Sequence, residues 1–176
     1  YNTKDVMRDC LASLDADKTN DDVWEIIAVD NASTDGSVAM VEKEFPAVKV
    51  LSQKVNKGFS CGNNVGIRKS QGEYILLLNS DTEASRDAIR ETLTYLKTHQ
   101  DAGVATCKLI RPDGSMDPAC HRGFPTPWAA LTYFSGLERL FPASRVFGHY
   151  HQGYKDMTTP HEIDSPSGAF FLIRKE

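Results

Sequence analysis

The sequence predicts an α/β fold on a mostly parallel central sheet flanked by helices, and three observations predict it. Short apolar runs with little alternation sit at 24–30, 48–53, 74–79, 103–110 and 169–174, the pattern of strands covered on both faces. Helix-length segments of roughly helical apolar spacing lie between them, and alternating helix and strand implies a parallel sheet. Three polar segments, VDNASTDGS (29–37), NKGFSCGNNVGI (56–67) and LLLNSDT (76–82), each follow a predicted strand or fill a glycine-rich turn. Such strand ends are where an α/β sheet binds nucleotides and metals.

In chain order, the first helix is predicted over 6–14, from its roughly helical apolar spacing. WEIIAVD at 24–30 reads as a strand closing on Asp30, and a helix follows over 37–45. The next strand is 48–53, followed by a glycine-containing helix over 59–70. YILLLN at 74–79 is a fully apolar strand, 86–99 a helix, and 103–110 and 169–174 further strands. Between 112 and 166 the regularity lapses into proline, glycine and aromatic residues around one helix candidate at 128–140. A long excursion of this kind shapes one side of a site. The chain also looks cut at both ends, since no strand precedes the first helix and Glu176 falls at the end of a strand.

At 176 residues, 40% hydrophobic and 25% charged, the chain fits one domain with a real core. Its net charge of -4 argues against a nucleic-acid partner, whose phosphates would call for a lysine and arginine excess. A single nucleotide stays compatible, because one metal ion neutralises a diphosphate. Cys10, Cys61, Cys107 and Cys120 show no Cys-x-x-Cys spacing and no secretory signal precedes them, so reduced thiols in a cytosolic compartment are expected. No apolar run reaches the roughly 18 to 20 residues that span a bilayer.

Asp30 closes a buried strand, where a carboxylate is costly unless something pairs with it; its oxygens suit a nucleobase imide or a ribose hydroxyl. Asn31, Ser33 and Asp35 supply a turn and a helix start, and Ser33 and Asp35 equally suit a cap for the helix beginning near Ser37. Asn56, Gly58, Gly62, Asn63, Asn64 and Gly66 allow close approach of the backbone to a ligand, with helix-start amides that favour an anion. A tight turn under a closely packed helix would need the same glycines. The segment is neither a P-loop nor GxGxxG. Asn79, Ser80 and Asp81 place hard oxygen ligands for Mg²⁺ or Mn²⁺, and for a ribose, at the sheet edge; Asp81 would otherwise cap the helix near Arg86. In CHRGFPTPW (120–128), Arg122 is a diphosphate or acceptor contact, while Phe124 and Trp128 read as packing residues under the loop ahead of sugar-stacking faces. Gly148-His149-Tyr150-His151 lacks a third metal ligand in sequence and reads as a surface loop.

Together, VDNASTDGS, NKGFSCGNNVGI and LLLNSDT, with the later PSGAFFLIRKE, resemble the family 2 glycosyltransferases, inverting enzymes of the GT-A fold that use nucleotide-sugar donors. The likeness is closest to the bacterial rhamnosyltransferase-like branch, with Asn79-x-Asp81 in place of the usual Asp-x-Asp. The resemblance implies that Tyr1 lies against the nucleobase, that Asp30 recognises it, and that Asn79 and Asp81 serve the ribose and the metal. It places Ser33 and Asp35 in the same cradle, and Gly168 and Ala169 at the donor sugar. It further implies a single catalytic domain over 1–176, with a nucleotide-binding half at 1–111 and an incomplete donor-sugar and acceptor half at 112–176. The general base falls in a segment expected beyond Glu176. A dTDP- or UDP-sugar donor, a saccharide or lipid-linked acceptor in polysaccharide biosynthesis, and work at the cytoplasmic face of the membrane through absent segments complete the expectation. The alternative is a nucleotide-sugar-binding domain that has lost catalysis.

Overall fold

The computed structural model describes residues 1–15 and 24–175. The chain divides into two compact units, Tyr1–Ala105 with Ala169–Glu176, and Thr106–Gly168. The second unit thus starts a few residues before the break expected near Pro112, and the last strand returns to the first unit.

In the first unit the order is α1 (Lys4–Asp15), β1 (Ile27–Asp30), α2 (Ser37–Glu44), β2 (Lys49–Ser52), α3 (Phe59–Lys69), β3 (Tyr74–Leu78), α4 (Arg86–Thr98) and β4 (Val104–Ala105). The strand Phe170–Arg174, here β5, closes it after the excursion. β1 and β2 pair in parallel, Ala28 opposite Val50 and Asp30 opposite Ser52. β5 lies between β3 and β4 and runs antiparallel to both, so β3 and β4 share one direction. This α/β arrangement is the predicted class, with β5 as its reversed strand.

Strand alternation sorts the side chains of β1 onto two faces. Ala28 joins Leu11 of α1 and Met40 and Val41 of α2 in a buried cluster, with Val50 packed against it. Val29, on the opposite face, meets α3 where a Cβ on Gly66 would come within 3.2 Å of it. Gly66 therefore serves close helix-to-strand packing. Phe170, Leu172, Leu96, Ile89 and Ile75 are buried hydrophobic residues of β5, α4 and β3. Arg86, at the start of α4, is buried; its Nε donates to the Leu14 carbonyl at 2.7 Å and its guanidinium lies 4.3 Å over the Trp24 ring. That joins α4 to the last turn of α1, whose carbonyl ends favour a cation.

Two predicted elements come out differently. The strand expected over 103–110 is only Val104–Ala105, because the chain then enters the second unit and Ile110 bridges Met116 across a tight turn. Asp113 accepts from Ser115 N at 2.9 Å there and Gly114 sits at φ +81°, the turn chemistry of the Pro-Asp-Gly run. The helix expected over 128–140 is two, α5 (Pro127–Phe134) and α6 (Leu137–Leu140), split at Gly136 with φ +79°. Pro127 starts α5 with Thr126 as its cap, accepting from Ala129 N at 3.1 Å. Phe124 and Trp128, expected to pack under the loop, are 60% and 48% exposed, and the indole N–H of Trp128 donates to the Val146 carbonyl at 2.9 Å. The expected surface loop around His149 and His151 is half-buried: Gly148 is buried, and Glu138 accepts from His151 N at 2.8 Å. Among the described residues no helix is long and apolar enough to cross a membrane.

Candidate nucleotide-binding cleft

A cleft of about 660 Å³ in the first unit runs between β1 and β3. Leu11, Val29, Val41 and Leu77 line its apolar depth, and Tyr1, Asp30, Asn31, Ser33, Asn79, Ser80 and Asp81 line it where the strands end. Residues of all three polar segments, with Gly62 and Asn63 from the second, and the first residues of the chain thus converge on one cavity. Apolar walls with a few placed polar groups are the usual make-up of a small-molecule site.

The N-terminal segment is laced to the 31–35 loop. Asn2 N donates to Ser33 Oγ at 2.9 Å, Thr34 N to Asn2 Oδ1 at 2.9 Å, and Lys4 N to Asp35 Oδ2 at 2.9 Å. Asp35 also accepts from Ser37 N at 3.0 Å and from the Ser37 hydroxyl at 2.5 Å. The Ser37 hydroxyl bond, the largest cause, holds the Asp35 carboxyl below its usual range. Asp35 therefore takes the helix-start role that the sequence left open, and joins the first turns of α1 and α2. Ser33 divides its groups between Asn2 and the Asp30 carboxylate, which accepts from Ser33 N at 3.1 and 3.2 Å. On the opposite side, the Ser80 hydroxyl donates to Thr3 Oγ1 at 3.2 Å, and Asn79 N donates to the Ala169 carbonyl at 3.0 Å. Tyr1 is 57% exposed at the cleft.

Asn31 Oδ1 and the Asp81 carboxylate are unspent, while Asn31 Nδ2 donates to the Gly58 carbonyl at 3.5 Å. Asn31 Oδ1 is buried with no hydrogen-bond partner, and a Cβ on Gly62 would stand 2.9 Å from Asn31 Nδ2. Gly62 thus leaves space for the Asn31 carboxamide. Asp81 is exposed, and its side chain makes no hydrogen bond or ion pair with any described residue. It does not cap α4; Ser85 does, accepting from Ala88 N at 3.2 Å. One free carboxylate flanked by Asn79 and Ser80 suits a hard divalent cation that keeps water and phosphate oxygens as further ligands. Among the described residues no group of three histidine, cysteine or carboxylate side chains forms a closed cage.

Five further predicted positions do not line the cleft. Asn56 is exposed and folds back, Oδ1 accepting from Gly58 N at 2.9 Å, while Gly58 at φ +85° opens α3; neither lines the cleft. Asn64 points to solvent on α3, and its neighbour Asn63 lines the cleft instead. The helical period carries that signal, because Asn63 is adjacent to Gly62 and one turn from Gly66. Gly168 and Arg122 belong to the second unit, where Arg122 Nε is buried without a partner and the Arg122 carbonyl accepts from Ser165 N at 2.9 Å. Asn2 and Thr3, not foreseen as contributors, connect the two polar loops; the left-handed φ of +52° at Asn2 is their structural mark.

Cys10 sits beneath the cleft, its thiol 3.6 Å from the Asn79 carbonyl. Burial first, with the fields of Asp81 and Glu83 adding, pushes this thiol up to about 11, and burial pushes Cys107 up to about 11 as well. Cys61 is exposed. With a disulfide reagent at pH 8 under native conditions, Cys61 should label first, with Cys10 and Cys107 slower by at least about tenfold, because the thiolate is the reactive form. Peptide mapping of the labelled chain checks the order.

The sequence matches the model of "Glycosyl transferase family 2" over residues 1–176. The chain belongs to the family 2 glycosyltransferases, and its fold is the GT-A fold of that family. It is 33% identical over 152 residues to the poly(ribitol-phosphate) beta-glucosyltransferase of Bacillus spizizenii, covering 82% of this chain and 24% of that protein. It is 29% identical over 143 residues to the putative teichuronic acid biosynthesis glycosyltransferase TuaG of Bacillus subtilis, covering 78% and 54%. Among solved structures, the mannosyltransferase PcManGT of Pyrobaculum calidifontis, in complex with GDP-Man and Mn²⁺, superposes with a TM-score of 0.56 at 22% identity, over 64% of this chain and 34% of that one. Staphylococcus aureus TarS 1-349 in complex with UDP gives 0.56 at 24% identity, over 73% and 37%. The chain spans about a quarter of the glucosyltransferase and about half of TuaG.

Proposed function

We propose that this chain is the donor-binding part of an inverting glycosyltransferase that moves a sugar from a nucleoside-diphosphate carrier, dTDP or UDP, to a saccharide or lipid-linked acceptor. The carrying observation is the convergence of Asp30, Asn31, Asn79, Ser80 and the unpaired Asp81 on one cleft. Asp30 and the Asn31 carboxamide take the base, Tyr1 lies against its face, and Asn79 with Ser80 takes the ribose. Gly168 and Ala169 face the donor sugar, and Arg122 is the proposed contact for the diphosphate or acceptor. Asp81 holds a Mg²⁺ or Mn²⁺ ion, which when bound neutralises charge on the departing diphosphate.

Inversion requires the acceptor hydroxyl to lose its proton while attacking the anomeric carbon from the face opposite the departing diphosphate. The narrower assignment to a rhamnosyltransferase-like branch rests on the form of the three motifs; the glucosyl- and mannosyltransferases named above support nucleotide-sugar transfer at the coarser level. The poly(ribitol-phosphate) and teichuronic acid names of the relatives favour a cell-envelope polymer as acceptor; work at the cytoplasmic face of the membrane is part of the same proposal.

Titration calorimetry of the chain with UDP, dTDP and GDP, each with and without Mn²⁺, is the test. One nucleotide should bind, with an affinity that rises when Mn²⁺ is present. Equal weak signals for all three, unchanged by the metal, would remove the cleft from donor binding.

A further inference from the structure

The second unit contains a pair of histidines whose geometry the transferase function does not use. His121 follows the 3-10 turn Pro118–Cys120 and is 5% exposed; His161 lies forty residues on, half-buried. Their rings meet at 79° with centroids 4.7 Å apart, and the two Nε2 atoms are 2.5 Å from each other. His121 Nδ1 is 2.8 Å from the His151 carbonyl, and His161 Nδ1 is 2.8 Å from the Thr159 carbonyl. A carbonyl oxygen only accepts, so each Nδ1 carries a proton. A neutral imidazole has one N–H, which leaves both Nε2 atoms as lone pairs aimed at each other. Two facing lone pairs at this separation call for a positive centre between them.

We propose that His121 and His161 together hold a divalent transition-metal ion of the Zn²⁺ class through their Nε2 atoms. Neutral imidazole suits zinc, copper and nickel. Metal-bound histidines characteristically donate the second ring N–H to a carbonyl or carboxylate, which fixes tautomer and ring direction; both rings here do so. A shared proton is the other way to fill the gap, but it would put a desolvated imidazolium beside the buried His121. With Zn–N bonds of about 2.0 to 2.1 Å in tetrahedral geometry, the nitrogens would stand about 3.3 Å apart, so the rings must part by roughly 0.8 Å. His161, on the more open side, can supply that shift.

No third histidine, cysteine or carboxylate completes the set among the described residues, so water takes the remaining positions. They face an open pocket lined by His161, Asp156, Glu162 and Lys155. The Asp156 carboxylate, close enough to feel the field of His161, favours a cation, and the Lys155 ammonium, which donates to the Glu162 carbonyl, opposes it.

The test is calorimetric titration of the chain with ZnCl₂ in chelator-free buffer, beside His161→Gln and, to remove the exposed thiol, Cys61→Ser. One equivalent should bind to the parent chain and to Cys61→Ser, and the affinity should fall at least about tenfold in His161→Gln. Circular dichroism establishes that the variant is folded. Independently of any variant, ¹⁵N spectra of the histidine rings should show the Nε2 signals of His121 and His161 shifting with one equivalent of Zn²⁺ while Nδ1 stays protonated. An isotherm unchanged in a folded His161→Gln, or ring signals that ignore zinc, would overturn the site and leave a shared proton as the bridge.

Discussion

Asp81→Ala should weaken Mn²⁺-dependent binding of a nucleoside diphosphate at least about a hundredfold, or about 2.7 kcal/mol. Its stability should stay within about 0.5 kcal/mol of the parent. Both parts follow from the same fact: the Asp81 side chain is exposed and engages no described residue, so its removal costs the fold nothing and would deprive the proposed cation of a free carboxylate lining the cleft. Calorimetry with and without Mn²⁺ measures the first, and a urea melt the second. Binding that survives in Asp81→Ala, still raised by Mn²⁺, would move the metal away from this carboxylate. One side effect has a fixed sign. The field of Asp81 contributes, after burial, to the raised pKa of Cys10. Without it the thiol should label somewhat faster, although burial keeps it slower than Cys61.

The contrast between Asp81 and Asp35 shows how far the sequence could be read. Both are acidic residues in loops just after a strand, both could cap the next helix, and residue type alone does not separate them. The fold does. Asp35 spends its oxygens on Lys4 N, Ser37 N and the Ser37 hydroxyl, whereas the cap of α4 is supplied by Ser85 and Asp81 is left over. The helices and strands of the first unit were legible because each is a local pattern of apolar spacing, and, β4 apart, their observed ends fall within a few residues of the predicted ones. What lay out of reach depends on residues far apart in the chain. The reversal of β5 between β3 and β4 is set by pairing across some seventy to a hundred positions. The lacing of Asn2 and Thr3 to Ser33, Thr34 and Ser80 spans 31 to 77 positions. The His121 and His161 pair spans 40. Such contacts leave no periodicity in a single sequence. The exposed Phe124 shows the converse limit: an aromatic residue is more often buried, and only tertiary placement reveals that this one is not.

Phe170→Ala should cost about 3 to 5 kcal/mol, among the larger single losses this chain can suffer. Phe170 is 1% exposed, opens the central strand β5 and pairs in register with Leu78, the last residue of β3. Truncation leaves a cavity where the strand cannot slide to refill it, because the ladder from Leu78 to Tyr74 fixes its register. Phe170→Leu keeps much of the volume and should lose less than half as much. Equilibrium urea unfolding of the two variants reads the difference, and a loss below about 1.5 kcal/mol in Phe170→Ala would contradict the packing described here. The same substitution reaches the cleft by a short route. Ala169, one residue before the truncated ring, holds Asn79 N through its carbonyl at 3.0 Å, and Asn79 begins the turn that presents Asp81. Nucleotide affinity should therefore fall in Phe170→Ala well below its melting temperature, although Phe170 does not line the cleft. The core position and the turn that carries Asp81 lie at the same end of one antiparallel strand pair, Phe170 opposite Leu78 and Ala169 bonded to Asn79, which is how a buried aromatic residue comes to set the geometry of an exposed carboxylate.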